Sequence, residues 1–121
     1  MPHIKLEHTN NITADIILKL FNNLKTILID VAGIKKENCK CKAIYIPIYQ
    51  TGTSDDLHNF MHLEISILEG RSEKVLQHIG EQSLQILKKH FRGGETQNNS
   101  NQYSVEIREI KQNNYFTTNL I

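Results

Sequence analysis

Three groups of residues in this chain have types and positions that could do chemistry. The first is Pro2. Initiator methionine is normally removed ahead of a proline, and the removal would expose a secondary amine at the start of a strand. A free α-amino group titrates near ~7.7–8.0, and burial or nearby cations lower that value by disfavouring the charged form. A neutral amine can take a proton as a general base and return it as the conjugate acid. Taken alone, a proline in second position is also an ordinary, inert chain start. The second group is Arg71, in the turn Glu69-Gly70-Arg71-Ser72 ahead of a helix. Free N–H groups at a helix start carry partial positive charge, and a guanidinium beside them can grip a carboxylate with two prongs. The plain alternative is an arginine that pairs with Glu69 or Glu73. The third group is Lys40 and Lys42, which alternate with Cys39 and Cys41 and so share one strand face. Either lysine could neutralise a carboxylate or depress a nearby amine; either could equally guard a solvated strand edge.

These residues must be held by a scaffold, and the hydrophobic pattern supplies one. His3 to His8 alternates Ile4 and Leu6 with polar neighbours, as in a half-buried strand. Asn10, Asn11 and Thr13 offer a helix N-cap, and Asp15 suits the first turn. Ile16, Ile17, Leu20, Phe21, Leu24, Ile27, Leu28 and Val31 then form one helix face, with Gly33 placed to end it. A second strand spans about Lys40 to Tyr49, with Pro47 pointing to an edge or bulge. Gln50 to Asp56 reads as a loop, and a third strand covers about Asn59 to Leu68. Ser72 caps a second helix through Val75, Leu76, Ile79, Leu84, Leu87 and Phe91, which Gly93-Gly94 stops. The polar segment Glu95 to Gln102 precedes a fourth strand, Tyr103 to Ile110.

The order is β-α-β twice: an α+β chain with a four-stranded sheet and two helices on one face. A ferredoxin-like antiparallel sheet and two parallel β-α-β units related by a pseudo-twofold both satisfy it. The helix-free sheet face would be open, and a large apolar face calls for an oligomer to cover it.

A chain of 121 residues suits one domain, 1–121, and can bury roughly two-thirds of its unfolded surface without staples. Fourteen Lys+Arg against thirteen Asp+Glu leave a net charge of +1, which argues against a nucleic-acid binder. The strands also lack an aromatic platform for stacking RNA bases. No apolar run approaches the ~20 residues of a membrane span, and the first residues lack the apolar stretch of a secretory signal. A cytoplasmic protein without membrane or nucleic-acid partners is expected. Cys39 and Cys41 are too close in sequence for an ordinary disulfide and have no second pair with which to bind zinc; two reduced thiols are expected. The six histidines show no common geometry, so no metal site or other cofactor is expected.

Three segments together carry a resemblance: MPHIKLEHTNNI, CKCKAIYI, and GRSEKVLQHIGEQSLQILKKHF. They resemble 5-carboxymethyl-2-hydroxymuconate isomerase, of the tautomerase superfamily, over nearly the whole chain. The resemblance implies a β-α-β-β-α-β subunit assembled as a homotrimer, whose amino-terminal proline shuttles a proton between positions of a dienol acid. Pro2 matches that proline once Met1 is lost, and Arg71 matches the arginine of the GRS turn. Lys40 falls where the family has an arginine that binds substrate carboxylate, and Lys42 where a further arginine follows. Lysine keeps the charge but not the planar grip.

The implied activity is a cofactor-independent 1,3-keto–enol tautomerisation of an unsaturated 2-hydroxy di- or tricarboxylic acid, resembling 5-carboxymethyl-2-hydroxymuconate from aromatic-compound catabolism. Pro2, Arg71 and Lys40 would be the catalytic residues, and Lys42 would assist in binding the small carboxylate substrate. The alternative is a non-catalytic oligomeric protein that binds small anions on the same scaffold.

Overall fold

The computed structural model describes residues 1–52, 58–91 and 101–118. Its elements run β1 (His3–His8), α1 (Ala14–Ala32), β2 (Lys40–Tyr45), β3 (Asn59–Leu68), α2 (Glu73–Phe91) and β4 (Asn101–Ile110). Short 3-10 turns occupy Lys36–Asn38 and Gln112–Asn114. The sheet order is β2-β1-β3-β4. β1 is parallel to β2, β3 is parallel to β4, and the two inner strands β1 and β3 are antiparallel. The second of the two arrangements is therefore the one formed: two parallel β-α-β units related by a pseudo-twofold between β1 and β3.

Strand alternation builds the core. Ile4 and Leu6 of β1, with Met61, Leu63, Ile65 and Ile67 of β3, are essentially buried on one sheet face. Ile17, Leu20, Phe21, Leu24 and Leu28 of α1 and Ile79, Leu87 and Phe91 of α2 cover them. Recurrence of these residues at three and four aligns them along one side of each helix. Ile16, expected on the same face, is 41% exposed, and Leu84 is only half-buried. Cys39 and Cys41 are free thiols packed against the core from the face opposite the lysines, and burial raises the pKa of both.

The helix ends explain how the chain reaches the site. Gly33 takes φ +67°, where a side chain is strained, and its N–H bonds the Ile29 carbonyl at 3.1 Å. Ile34 N–H bonds Leu28 O at 3.3 Å and its side chain is buried, which directs the chain toward β2. Thr13 occupies the N-cap position of α1 without a side-chain capping bond. Ser72 does cap α2, its Oγ accepting the Val75 N–H at 3.2 Å.

Three expectations need correction. β2 ends at Tyr45 rather than Tyr49: Ile46 N–H donates a last bond to His8 O at 2.8 Å, where β1 itself stops, and Pro47 has no N–H to continue. β4 starts two residues earlier than read, at Asn101, opposite Asn59. The helix-free face is not a broad apolar surface. It carries His3, Lys5, Lys40, Lys42, His62, Glu64, Ser66, Ser104, Glu106 and Arg108, which strand register sets on one side. Ion pairs Lys5–Glu64 (3.9 Å), Arg108–Glu64 (3.4 Å) and Arg108–Glu106 (2.8 Å) run across it. Exposed apolar area therefore gives no argument for an oligomer from this face. The Gly93-Gly94 stop and most of the Glu95–Gln102 segment lie outside the described residues, as do positions 53–56 of the Gln50–Asp56 loop.

Candidate active site

The register gathers chemistry at one end of the sheet. His3 is opposite both Lys40 of β2 and Ser66 of β3, so β1 and β2 begin where β3 nears its end. β4 ends there too, with Ile110 opposite Leu68. Pro2, Lys40, Arg71, His3 and the segment after β4 all belong to this end.

Pro2 precedes β1 and is fully buried, and its carbonyl accepts the Lys40 N–H at 3.0 Å. That bond extends the β1–β2 ladder by one residue and fixes Lys40 beside the start of the chain. The ammonium group of Met1 donates to Asn38 O at 3.1 Å. Its pKa is lowered below the ordinary 8.0, first by burial and then by the charge of Lys40, with Cys39 acting weakly the other way. The Lys40 side chain itself is exposed, on the sheet face of His3. Lys42 is two residues further along, opposite Lys5, and is also exposed. The structure thus brings Lys40 to Pro2 and sets Lys42 farther from it.

Arg71 enters through the turn after β3. Gly70 takes φ +122°, a backbone that side chains rarely adopt, and lets the strand reverse into α2. Arg71 Nη1 donates to Leu68 O and Nη2 to Ala32 O, both at 3.3 Å. Those carbonyls close β3 and α1, so the side chain ties the turn to the end of the first helix. Its Nε is buried and without a partner among the described residues. Neither Glu69 nor Glu73 pairs with it; Glu69 instead accepts the Gln112 N–H at 2.8 Å. Among the described residues no carboxylate neutralises this half-buried guanidinium, so it retains charge and donor capacity for an anion.

Two residues at this end were not read from the sequence as functional. His3 Nε2 and the Tyr115 hydroxyl share a hydrogen bond of 3.1 Å across 112 positions of chain. The pKa of His3 is lowered by burial, then by the adjacent amino-terminus, Lys40 and Lys42. His3 showed only as a strand residue, and nothing local marks Tyr115, because a fold-back of the tail joins them. Among the described residues no cluster of three or more metal-ligating side chains occurs. Nor is any helix among them long and apolar enough to cross a membrane.

Paired parallel β-α-β units about a pseudo-twofold define the class: an α+β subunit of the tautomerase fold. A macrophage migration inhibitory factor-like protein from Entamoeba histolytica superposes with a TM-score of 0.70 at 17% identity, covering 97% of this chain and 95% of that one. A fused 4-OT wild-type symmetric trimer does so at 0.75 and 11% identity, covering 98% and 94%. These two share the fold. The chain belongs to the 5-carboxymethyl-2-hydroxymuconate isomerase family, whose model matches residues 2–121. The 5-carboxymethyl-2-hydroxymuconate isomerase from Deinococcus radiodurans R1 is 27% identical, with a TM-score of 0.85, covering 98% of this chain and 90% of that one. No curated protein matches the sequence. Family and fold together make the protein an isomerase of the tautomerase type.

Proposed function

We propose that this isomerase converts an unsaturated 2-hydroxy di- or tricarboxylic acid, of the 5-carboxymethyl-2-hydroxymuconate kind, into its keto isomer, with Pro2 as the base. Loss of Met1 turns the Pro2 nitrogen from an amide into a secondary amine. That amine takes the proton of the 2-hydroxyl while the C=O bond forms, the double bonds shift, and the distal carbon receives the proton back from the prolinium. Protons and charge balance without a cofactor.

Arg71 holds a substrate carboxylate and Lys40 a second one, with Lys42 adding long-range attraction. The observation that supports this reading is the guanidinium of Arg71, free of any carboxylate among the described residues, at the sheet end where Pro2 is buried. Lysine charge near the amine favours the free base, in the direction in which Lys40 acts on the terminal amine of Met1. We further propose a cytoplasmic homotrimer acting in aromatic-compound catabolism, as the family resemblance implies.

The test is an ultraviolet assay of 5-carboxymethyl-2-hydroxymuconate ketonisation on protein whose intact mass shows Met1 removed, wild type beside Pro2→Ala. Turnover that collapses in Pro2→Ala while the variant stays folded supports the proline base. Equal turnover by both refutes it. Retained binding of the acid with no turnover by either supports the anion-binding alternative.

A further inference from the structure

Beyond Ile110 the chain turns back across the Pro2 end of the sheet, and backbone bonds fix its path. Glu69 N–H donates to Ile110 O at 2.9 Å, and Gln112 N–H returns a bond to Glu69 Oε2 at 2.8 Å. Asn114 N–H donates to Lys111 O at 2.9 Å and Tyr115 N–H to Gln112 O at 3.3 Å, which close a single 3-10 turn. Half-buried Tyr115 is thereby brought edge-to-face with His3, ring centroids 6.0 Å apart, with its hydroxyl 3.1 Å from Nε2.

Proton counting gives the pair a property that neither residue has alone. A neutral imidazole holds one N–H and tyrosine one O–H, and their mutual bond uses one of the two. In one tautomer the His3 Nδ1–H is left over; in the other, the Tyr115 O–H is. Among the described residues neither group has another hydrogen-bond partner. The imidazole is kept neutral because burial, the amino-terminal amine, Lys40 and Lys42 all oppose its protonation. Lys5 lies two residues on along the same face, and Ser66 opposite has no charge. Glu64, the acidic group on that face of β3, is opposite Lys5 and pairs with it at 3.9 Å, so the charges acting on His3 are those of the amino-terminus, Lys40 and Lys42.

We infer that Tyr115 is a positioning residue for the Pro2 site and acts through His3, the pair offering one uncharged hydrogen-bond donor to a substrate oxygen. An enol oxygen that gains charge as its proton leaves is a fitting acceptor, since a fixed donor there strengthens toward the transition state. The inference rests on the reading of this sheet end as the active site.

Kinetics on wild type, Tyr115→Phe, His3→Ala, His3→Gln and the double variant Tyr115→Phe/His3→Ala test it, with thermal unfolding of each. Tyr115→Phe and His3→Ala each lower kcat/KM for 5-carboxymethyl-2-hydroxymuconate on the order of tenfold, the worth of one hydrogen bond. The double variant loses no more than the worse single one, because the two side chains act as a unit. His3→Gln keeps an uncharged donor that cannot titrate, so it retains most of the rate and loses the His3 inflection from the pH profile. Wild-type kinetics in Tyr115→Phe, or additive losses, overturn the inference. A parallel titration of the His3 ring 15N resonances with cis,cis-muconate separates it from the proline reading. If a demethionylated wild type fails to turn over the acid, the proline reading falls alone. A His3 shift with muconate that Tyr115→Phe abolishes still supports the pair, and absence of that shift in wild type overturns it.

Discussion

Under the proposed function Arg71 has two tasks, one structural and one chemical, that a pair of substitutions separates. Structurally, its guanidinium bonds Leu68 O and Ala32 O, both at a long 3.3 Å, and joins the β3–α2 turn to the end of α1. Each such bond contributes about 0.5–1 kcal/mol net at a half-buried site, so Arg71→Ala costs about 1–2 kcal/mol. For a chain of this length that lowers Tm by about 4–8 °C. Chemically, the same guanidinium has no carboxylate partner among the described residues, and a charged hydrogen bond to a substrate carboxylate contributes about 1.5–3 kcal/mol. Arg71→Ala therefore lowers kcat/KM by roughly 10- to 150-fold. Arg71→Lys keeps the charge and reaches one carbonyl, so it recovers part of the rate and part of the Tm but not the two-pronged geometry. Ultraviolet ketonisation kinetics and circular-dichroism melts on the same preparations measure both. Two results refute the reasoning: Arg71→Ala that melts early yet turns over normally, which leaves only a structural strut, or Arg71→Lys no better than Arg71→Ala in both readouts.

Other expectations follow from particular contacts. Ser83 is 1% exposed in α2 and its hydroxyl has no partner among the described residues, so Ser83→Ala removes an orphaned polar group and gains helix propensity. It should raise Tm by about 2–6 °C, for a gain of about 0.5–1.5 kcal/mol, in a calorimetric scan. Stability should fall on acidification through the histidine range. His3 and His90 both have pKa values below the ordinary 6.5, chiefly through burial, so the unfolded chain binds protons first. Their contribution is fully present above about pH 6.5 and is lost as pH falls through the lowered folded values; urea midpoints at pH 7.5 and 5.5 check the sign. Asn23 Nδ2 donates to His90 Nε2 at 2.7 Å between the helices, a bond that protonation of that nitrogen abolishes. Lys40 is the main charge lowering the pKa of the Met1 amine after burial, and on the proposed reading it acts in the same direction on the Pro2 amine, so Lys40→Gln should raise that pKa. The acid limb of kcat/KM then moves to higher pH, and an unmoved limb would detach Lys40 from the base.

Most of the fold was legible because burial imposes a period. Ile4 and Leu6 alternate, and Leu20, Leu24 and Leu28 recur at four, so strand and helix declared themselves. Gly33 and Ser72 marked a helix end and a helix start for reasons local to the backbone. Strand direction was not legible: the same six-element order fits two sheets, and only the β1–β3 antiparallel register, made across more than fifty positions, selects one. The end of β2 was missed because apolar Ile46 and Ile48 continue its pattern after its partner strand has stopped. The candidate site divides in the same way. Pro2, Arg71 and Lys40 are candidates on residue type, turn context and resemblance, whereas the His3–Tyr115 contact is a product of long-range folding, with no local signature.

The face that was expected to be apolar changes what the cations at the Pro2 end can do. Had it been apolar, Lys40 and Lys42 would read as guards of an edge. Instead, the opposite charges on that face largely neutralise one another toward β4, where Glu64, Glu106 and Arg108 pair. Lys5 is drawn into that network by Glu64. Lys40 and Lys42 have no acidic partner among the described residues, so positive potential is left at the β2 edge next to the chain start. Adding Arg71 from the turn gives three cationic side chains and a terminal amine at this sheet end, none of which forms an ion pair among the described residues, while Glu69 is bonded to the tail. Such a cluster disfavours its own full protonation and favours a polyanion, so on the proposed reading the same charges that hold a di- or tricarboxylate also lower the pKa of the amine and leave it unprotonated. On that reading, substrate binding and activation of the base are one electrostatic requirement. A lysine can meet it in place of an arginine so long as the geometry of the grip is supplied by Arg71.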